Sequence, residues 1–249
     1  MCCFSRPVTS VSSTKIFARD AGGGRQYLVY SMNYAATEDL AMVLPLPVPV
    51  GSREDAVQFI DLHEYSRFFE DLHAGFPEPR SRGLNLFGSR SAPAPASVPL
   101  AVVQVGSFEA SFVPRVQDFS RLDARFRMPD AVWKKLPAYA QFGFAVFKLK
   151  RTATSVHPMA FSFPRVDGSK LFFPTVHIHD GEIHDHAHFD HQLYCQVGGD
   201  HHRVSDWRES PQPAKSFVNV AQSKGLIDPT AHCYLRELAG NRKNQDTYV

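Results

Sequence analysis

Short apolar runs separated by turn residues dominate the first fifty positions of the chain. Three runs rich in Val, Ile, Phe and Tyr, residues that favour strands, cover 15–18, 26–34 and 40–44. The glycine triplet at 22–24 separates the first two runs and is typical of a turn. The alternating prolines of LPLPVP at 44–49 lack backbone N–H groups, so we expect this segment to be extended or at a sheet edge rather than in a central strand.

One stretch has a helical rather than a strand-like spacing of apolar residues. Steps of three and four separate Val57, Ile60, Leu62, Tyr65, Phe68, Phe69 and Leu72. This spacing places them on one face of a helix, which we predict over 52–72 with Ser52 at its start. The Pro-, Ser-, Ala- and Gly-rich sequence that follows predicts a mobile loop over 74–98.

Strand-like alternation resumes after this loop. The runs are 100–105, 107–113, 141–149, 157–163 and 171–179. The mixed stretch 117–139 predicts one or two short helices, and 229–238 is compatible with a short helix or a last strand. Because the sequence shows no internal repeat and no strong boundary, we predict one domain over residues 1–249. Its class is α+β, predominantly antiparallel β in a sandwich or barrel-like arrangement, with a few helices.

Histidine is concentrated in one predicted hairpin. Eight of the 12 His residues fall within FPTVHIHDGEIHDHAHFDHQLYCQVGGDHH, and Asp180-Gly181 inside it is typical of a two-residue hairpin turn. Such a hairpin pairs 177 with 184 and 179 with 182, and it projects alternate side chains to the same face. The residues expected on that face are His177, His179, Glu182, His184, His186 and His188.

This face has the spacing of a metal site. Two His at i and i+2 on a strand, with a third directly across, bring three imidazole nitrogens within reach of one ion. We predict His177, His179 and His184 as the first-choice ligands. Further candidate ligands are His186, His188, His191 and His157. Asp185 and Asp190 are candidates to orient imidazole N–H groups. The alternative is a solvated or pH-responsive His-rich face that holds no metal.

The motif HIHDGE at 177–182 resembles the first half of a cupin metal motif, in which HxH is followed by a Glu and, a strand pair later, by another His. Here only two residues separate His179 from Glu182, and the usual upstream Gly is missing. The resemblance implies a β-barrel-like scaffold.

Composition limits the classes of function. The chain has 249 residues, 43% of them apolar, which is enough to bury a core. Lys and Arg total 27 against 25 Asp and Glu, a net charge of +2, and the absence of basic runs argues against a nucleic-acid partner. The sequence has neither the ~20-residue apolar stretch of a membrane span nor the apolar core of a signal peptide. We therefore expect a cytoplasmic protein without a membrane partner.

Four cysteines, at positions 2, 3, 195 and 233, fit neither a disulfide scaffold nor a paired CxxC zinc site. Three interpretations of Cys2 and Cys3 stay open. They are an N-terminal nucleophile with its own amine as base, a partner in a metal site or covalent cross-link, and buried apolar residues at the start of a strand. S-acylation of the pair is a fourth.

Tyr194 and Cys195 follow the His-rich stretch directly. Together with Cys2 and Cys3 they make the chain chemically similar to copper oxidases of the galactose-oxidase type, in which a Tyr linked to a Cys is a one-electron partner of copper. Adjacent residues of a strand point to opposite faces, so a cross-link would join residues distant in sequence. We predict Cys2, Cys3, Tyr194 and Cys195 as catalytic residues, with a cross-linked Tyr–Cys or Tyr–Cys–His cofactor.

Two further resemblances concern the first part of the chain. The Cys-rich start, LVYSMNYAATEDLAMVLPLPVP and FFEDLHAGFP resemble an uncharacterised bacterial family of unknown function, which implies a bacterial origin and no activity. The spacing of Cys2 to Arg19 and Asp20 is similar to that of N-terminal-nucleophile hydrolases of the penicillin-acylase and bile-salt-hydrolase type. That resemblance implies that Cys2 attacks an amide with help from Arg19 and Asp20.

The leading hypothesis is a copper-dependent oxidoreductase that acts with O2 on a small organic substrate, aromatic ones included. Zinc and iron are the alternative metals. The alternative functions are a zinc-dependent hydrolase, an amide hydrolase that uses Cys2, and a metal-binding protein without catalysis. The expected partners are a small-molecule substrate, O2 and, given the apolar content, a second copy of the chain.

Overall fold

The computed structural model describes residues 2–77, 103–106, 108–128, 130–155, 157–178, 182–198 and 204–249. The loop predicted over 74–98 lies outside the described residues from position 78 onward. His179 and the turn at 180–181 also lie outside them.

Strands outnumber helices throughout the described residues. The strands are β1 (Cys2–Phe4), β2 (Ser10–Gly22), β3 (Arg25–Ala36), β4 (Leu40–Leu46), β5 (Gln58–Asp61), β6 (Val103–Val105), β7 (Phe108–Val113), β8 (Gly143–Leu149), β9 (Thr152–Ser155), β10 (Met159–Pro164), β11 (Phe172–Phe173), β12 (His177–Ile178), β13 (His186–Gln196), β14 (Arg208–Glu209), β15 (Tyr234–Lys243) and β16 (Thr247–Tyr248). The α-helices are α1 (Phe68–Ala74) and α2 (Asp130–Lys134). The 3-10 helices are His63–Tyr65, Val116–Arg121, Ala124–Phe126, Pro137–Tyr139 and Ala214–Ser216. None of these helices is long and apolar enough to cross a membrane.

The strands form two large sheets and one small one. The first sheet has the order β12-β1-β4-β8-β7-β6, and the second has the order β14-β15-β13-β2-β3-β10-β5, with β9 also paired to β3. A short third sheet joins β11 to β16. Pairing is antiparallel except between β1 and β12 and between β2 and β13. The predicted α+β class with predominantly antiparallel β structure is confirmed, in the form of a sandwich.

Three apolar clusters explain why the sheets stack. The inner cluster fills the space between the two large sheets, with Met42 and Phe147 from the first and Tyr30 and Phe161 from the second. On the outer face of the first sheet, the short helices of 116–139 pack a second cluster against β8. On the outer face of the second sheet, α1 and residues 214–227 pack a third cluster against β2 and β3. Both large sheets are therefore buried on both faces over their central strands.

The proline-rich segment corrects one prediction. The strand β4 continues through Pro45 to Leu46, in the middle of the first sheet, although alternating prolines predict an edge conformation. The register gives the reason. The short β1 pairs with β4 at Met42 and Val43, whereas β8 pairs with β4 along its whole length, including Pro45 opposite Phe144. Pro45 thus lies beyond the residues that β1 pairs, where its missing N–H costs no ladder bond on that side.

The helix predicted over 52–72 is wrong for most of its length. Residues Gln58–Asp61 form β5, which pairs with β10, and only Phe68–Ala74 is α-helical. The open edge of β10 offers backbone hydrogen bonds that override a helical spacing of side chains. Further along, the short helices expected over 117–139 are present, and of the two alternatives for 229–238 the strand is correct from Tyr234 onward, where β15 begins.

The turn of the predicted His-rich hairpin lies outside the described residues, and the described strands on either side of it, β12 and β13, do not pair with each other. β12 pairs with β1 in the first sheet, while β13 pairs with β15 and β2 in the second. The hairpin rule assumes that strands adjacent in sequence pair with each other. Here each of the two strands has a partner distant in sequence, so His177 and His184 are not cross-strand neighbours.

Candidate functional site

The two large sheets meet at a pair of histidines, which we call the histidine pair: His177 on β12 and His191 on β13. Their Nε2 atoms are 3.1 Å apart, so one Nε2–H donates to the other Nε2. The ring centroids are 4.6 Å apart and the ring of Phe189 packs against both. The pair therefore joins an edge strand of one sheet to a central strand of the other.

Asn244, just after β15, holds His177 in this position. Its Oδ1 accepts the backbone N–H of His177 at 2.7 Å, and its Nδ2 donates to the carbonyl oxygens of His177 at 2.9 Å and His184 at 3.0 Å. A side-chain amide thus supplies hydrogen bonds that a neighbouring strand would otherwise supply. Sequence reasoning missed Asn244, because 67 residues separate it from His177 and no local pattern links them.

Burial decides the charge state of His191. Its side chain is 2% exposed, and its Nδ1 has no hydrogen-bond partner among the described residues, the nearest Asp190 oxygen being 3.6 Å away. Burial lowers the pKa of His191 below its usual value, which favours the neutral ring at pH 7. The nearby His191 ring and a 2.6 Å hydrogen bond from the backbone N–H of Ser13 lower the pKa of Asp190 to about 2.

The other predicted ligands of the His-rich stretch lie elsewhere. His184, His186 and His188 are exposed. On β13, His186 and His188 alternate with the inward-facing Phe189 and His191, so they project from the opposite face of the second sheet. The prediction that these side chains share one face with His177 is therefore wrong.

His157 belongs to a separate group. Its ring packs at a tilt against Phe108, with centroids 4.3 Å apart, and meets the ring of His63 edge-on at 5.8 Å. Burial lowers the pKa of His157. Within the described stretches there is no group of three or more His, Cys, Asp or Glu side chains that could hold a metal ion.

The N-terminal strand lies beside the histidine pair. β1 runs parallel to β12, with Cys2 opposite His177 and Cys3 opposite Ile178. Cys3 is fully buried in the cluster between the first sheet and its short helices. For Cys3, the interpretation as a buried apolar residue at the start of a strand therefore agrees with the structure.

Tyr194 and Cys195 point to opposite faces of the second sheet, as their adjacency predicts. Cys195 lies in the inner cluster and Tyr194 in the cluster under α1. The Tyr194 hydroxyl donates to Gln192 Oε1 at 3.1 Å and lies 3.0 Å from Nδ1 of His73. Burial raises the pKa of Tyr194 above its usual value. No local sequence pattern links His73 to Tyr194, since 121 residues separate them.

The remaining cysteine has the environment of a structural thiol. Cys233 is fully buried, and burial raises the pKa of its thiol to about 12. A thiol with such a pKa stays protonated at neutral pH, whereas nucleophilic and metal-binding cysteines act as thiolates.

Arg19 and Asp20, the residues implied by the hydrolase resemblance, have structural partners. The Arg19 guanidinium donates to the carbonyl oxygens of Leu226 at 2.8 Å and Gly225 at 2.6 Å. Asp20 accepts from Arg165 at 2.8 Å. Both residues belong to β2 in the second sheet, whereas Cys2 lies in the first sheet.

Comparison with known proteins identifies a fold rather than a family. No family model matches the sequence, and no curated protein does. The fold is similar to that in the crystal structure of baculovirus P35, with a TM-score of 0.51 over 96% of both chains at 13% identity. A mutated baculovirus P35 after caspase cleavage matches at a TM-score of 0.48 and 15% identity, over 96% of this chain and 97% of that one. P35 in the caspase-8/P35 complex matches at 0.48 and 13%, over 95% of both chains.

These findings contradict the expected metal-dependent enzyme. The chain has, over nearly its whole length, a fold similar to that of baculovirus P35, and its described residues contain no group of side chains that could hold a metal ion. The predicted catalytic residues Cys3, Tyr194 and Cys195 are buried in apolar clusters on three different faces of the sheets. The copper-dependent oxidoreductase is therefore the wrong hypothesis.

Proposed function

We propose that this chain binds a protein partner, and that the partner is a protease of the caspase class. The observation that carries the proposal is the similarity of fold to baculovirus P35 over 96% of both chains. P35 occurs in a complex with caspase-8 and in a form cleaved by a caspase.

The distribution of reactive side chains supports a binding function. Cys3, Cys195 and Cys233 are fully buried, and Tyr194 hydrogen-bonds inside the protein. A catalytic site needs a nucleophile or acid–base group that a substrate reaches. These side chains instead contribute to packing, which leaves the outer surface for recognition of another protein.

The framework also suits a binding protein. β2 and β3 are 13 and 12 residues long, and apolar clusters cover the central strands of both sheets on either side. A rigid framework of this kind loses little conformational entropy when a partner binds.

The direct test is a titration of active caspase-8 with the purified chain. We expect the rate of peptide cleavage to fall with added chain, and the two proteins to elute together in size-exclusion chromatography. Papain and trypsin, proteases of other folds, serve as controls and should keep their activity. The test uses the chain in about 10-fold molar excess and at a concentration well above a micromolar Kd. If it then neither inhibits caspase-8 or other caspases nor elutes with them, the proposal is contradicted.

We propose metal binding without catalysis as a second candidate function. One observation carries it, the distance between the Nε2 atoms of the histidine pair. Two nitrogens at ~2.05 Å from a tetrahedral ion lie about 3.3 Å apart, close to the 3.1 Å between the Nε2 atoms of His177 and His191. Imidazole suits copper, zinc and iron. The pair provides two ligands, and water is the ordinary choice for the open positions of such a site.

Calorimetric titration of the untagged protein with Cu²⁺ and Zn²⁺ tests this candidate. We expect one equivalent to bind, and His177→Ala or His191→Ala to weaken binding by at least about tenfold. His186→Ala and His188→Ala remove exposed histidines from the other face and should leave the affinity unchanged. If they weaken binding as much as His191→Ala does, the ion sits on the exposed face and the candidate is wrong.

A further inference from the structure

A cleft with a cavity volume of about 450 Å³ lies at one end of the sandwich. Its walls come from the segment after β4, the residues before β8, the loop after β10 and the C-terminal strand β16. A hydrogen bond of 3.1 Å from the backbone N–H of Val166 to the carbonyl oxygen of Pro47 ties two of these walls together. We call this cavity the end cleft. Its volume falls in the range of about 300–1,000 Å³ that is typical of small-molecule sites.

Most of the exposed large apolar side chains among the described residues line the end cleft. Among the described residues four large apolar side chains are exposed, and three of them line this cleft: Val50 at 73%, Val166 at 66% and Tyr248 at 48%. Behind them Phe172 contacts Tyr248, with ring centroids 5.2 Å apart, and Phe142 lies 6.3 Å from Phe172. Exposed apolar residues that are scattered singly are ordinary, whereas a group of them around one cavity marks a binding site.

The end cleft is lined by charged residues, and one of them, Lys170, is an exposed cation. Two cations, Arg165 and Lys170, line it together with one carboxylate, Asp167. The Arg165 side chain is 4% exposed and held by Asp20 at 2.8 Å and the Lys170 carbonyl at 3.0 Å, while its Nε has no hydrogen-bond partner among the described residues.

Lys170 is the cation that a ligand can reach. Its side chain is 58% exposed, and its contact with Asp167 is long, 3.6 Å between Nζ and Oδ2. An exposed ion pair of this kind has little strength, so the ammonium group is able to turn toward a ligand. The cleft thus combines apolar walls with a cation at its rim.

We propose that the end cleft binds a small amphipathic anion, with its apolar body between Val50, Val166 and the Tyr248 ring and its acidic group against Lys170. The apolar walls supply affinity through burial of the ligand body. The cation at the rim selects an anionic head group over a cationic one of the same shape. This proposal does not depend on the proposed interaction with a protease.

Fluorescence titration with 8-anilinonaphthalene-1-sulfonate, an aromatic anion that emits in apolar surroundings, tests the proposal. We expect saturable binding of one equivalent and displacement by octanoate but not by octylammonium, which has a chain of the same length and the opposite charge. Val166→Asp and Lys170→Glu should each weaken binding of the probe by about tenfold or more. Val103→Asp, at the fourth exposed apolar residue outside this cleft, is the matched control and should bind like the unaltered chain.

Three results would overturn the proposal: binding that does not saturate, equal displacement by octanoate and octylammonium, or the same affinity in Val166→Asp and Val103→Asp. Thermal unfolding of each variant shows that lost binding is not lost folding. Because Val166 and Lys170 are exposed, we expect their variants to unfold within a few degrees of the unaltered chain.

Discussion

At the scale of single residues, two of the polar side chains discussed above are held by partners far away in sequence. Tyr194 reaches His73 across 121 positions, and Asn244 reaches His177 across 67. Each contact satisfies a polar group that would be costly to bury alone. The hydroxyl of Tyr194, which the sequence predicts as catalytic, has hydrogen-bond partners inside the protein.

We expect Tyr194→Phe to lower the free energy of unfolding by about 1–2 kcal/mol, because it removes two hydrogen bonds from a buried site. Urea denaturation measures this change. Tyr248→Phe, at a half-exposed ring, should stay within about 0.5 kcal/mol of the unaltered chain. Equal losses for the two variants would contradict a structural role for the Tyr194 hydroxyl.

The burial of His191 predicts a pH dependence of stability. Its pKa is lowered in the folded chain but near ~6.5 in the unfolded chain, so the unfolded chain binds more protons once the pH falls below that value. The free energy of unfolding should therefore decrease as the pH falls from 7 to 5. The slope for one such group is at most about 1.4 kcal/mol per pH unit, and His157, whose pKa is also lowered, acts in the same direction.

Urea denaturation at pH 7, 6 and 5 measures the slope. His191→Gln should make it shallower, because glutamine takes up no proton in this range. His188→Gln removes an exposed histidine of the same strand and should leave the slope as it is. If both variants have the slope of the unaltered chain, burial of His191 is not the cause.

At the scale of elements, the glycine between β6 and β7 shows how tightly an edge of the first sheet packs on β5. Gly106 has a φ of 57°, and a Cβ placed on it would lie 2.7 Å from His63 Cβ, 2.8 Å from Asp61 Oδ1 and 2.9 Å from His157 Nε2. Gly24, in the turn between β2 and β3, has a φ of 73° and no atom within 4 Å of such a Cβ. Both glycines have the positive φ of a left-handed backbone, but only Gly106 lacks room for a side chain.

Gly24→Ala should lower the free energy of unfolding by about 1 kcal/mol, because alanine is strained in a left-handed backbone. Gly106→Ala should cost about 1–3 kcal/mol more, because the added methyl group overlaps the side chains of His63, Asp61 and His157. Thermal or urea denaturation of both variants checks the difference. Similar losses would mean that His63 and His157 move aside without cost.

At the scale of the whole molecule, the inner cluster joins the two large sheets. Phe147 of the first sheet and Phe161 of the second contact each other with ring centroids 5.9 Å apart. Because β8 and β10 belong to different sheets, this contact forms only when the sandwich is closed.

A double-mutant cycle with Phe147→Leu and Phe161→Leu should show a coupling energy of about 0.5–1.5 kcal/mol. Phe147→Leu combined with Phe68→Leu is the control, because Phe68 lies in the cluster on the outer face of the second sheet. That pair should be additive within about 0.5 kcal/mol. A coupling near zero for Phe147 and Phe161 would show that the two sheets are held together elsewhere.

Local alternation of apolar and polar residues was sufficient to predict most strands, the β-rich α+β class, the short helices of 117–139 and the opposite faces of Tyr194 and Cys195. Alternation predicts these features because the direction in which a side chain points depends on its own strand alone. The choice of partner strands depends on all the surface that the chain buries, which no local pattern contains.

Tertiary structure alone therefore decided that β12 joins β1 rather than β13, that 58–61 is a strand, and that the histidines of one stretch separate into a partly buried pair and an exposed face. The same long-range pairing brings Cys2, at the start of the chain, opposite His177. A sequence indicates which residues are able to form a strand or bind a metal, but contacts between distant residues determine which of them meet.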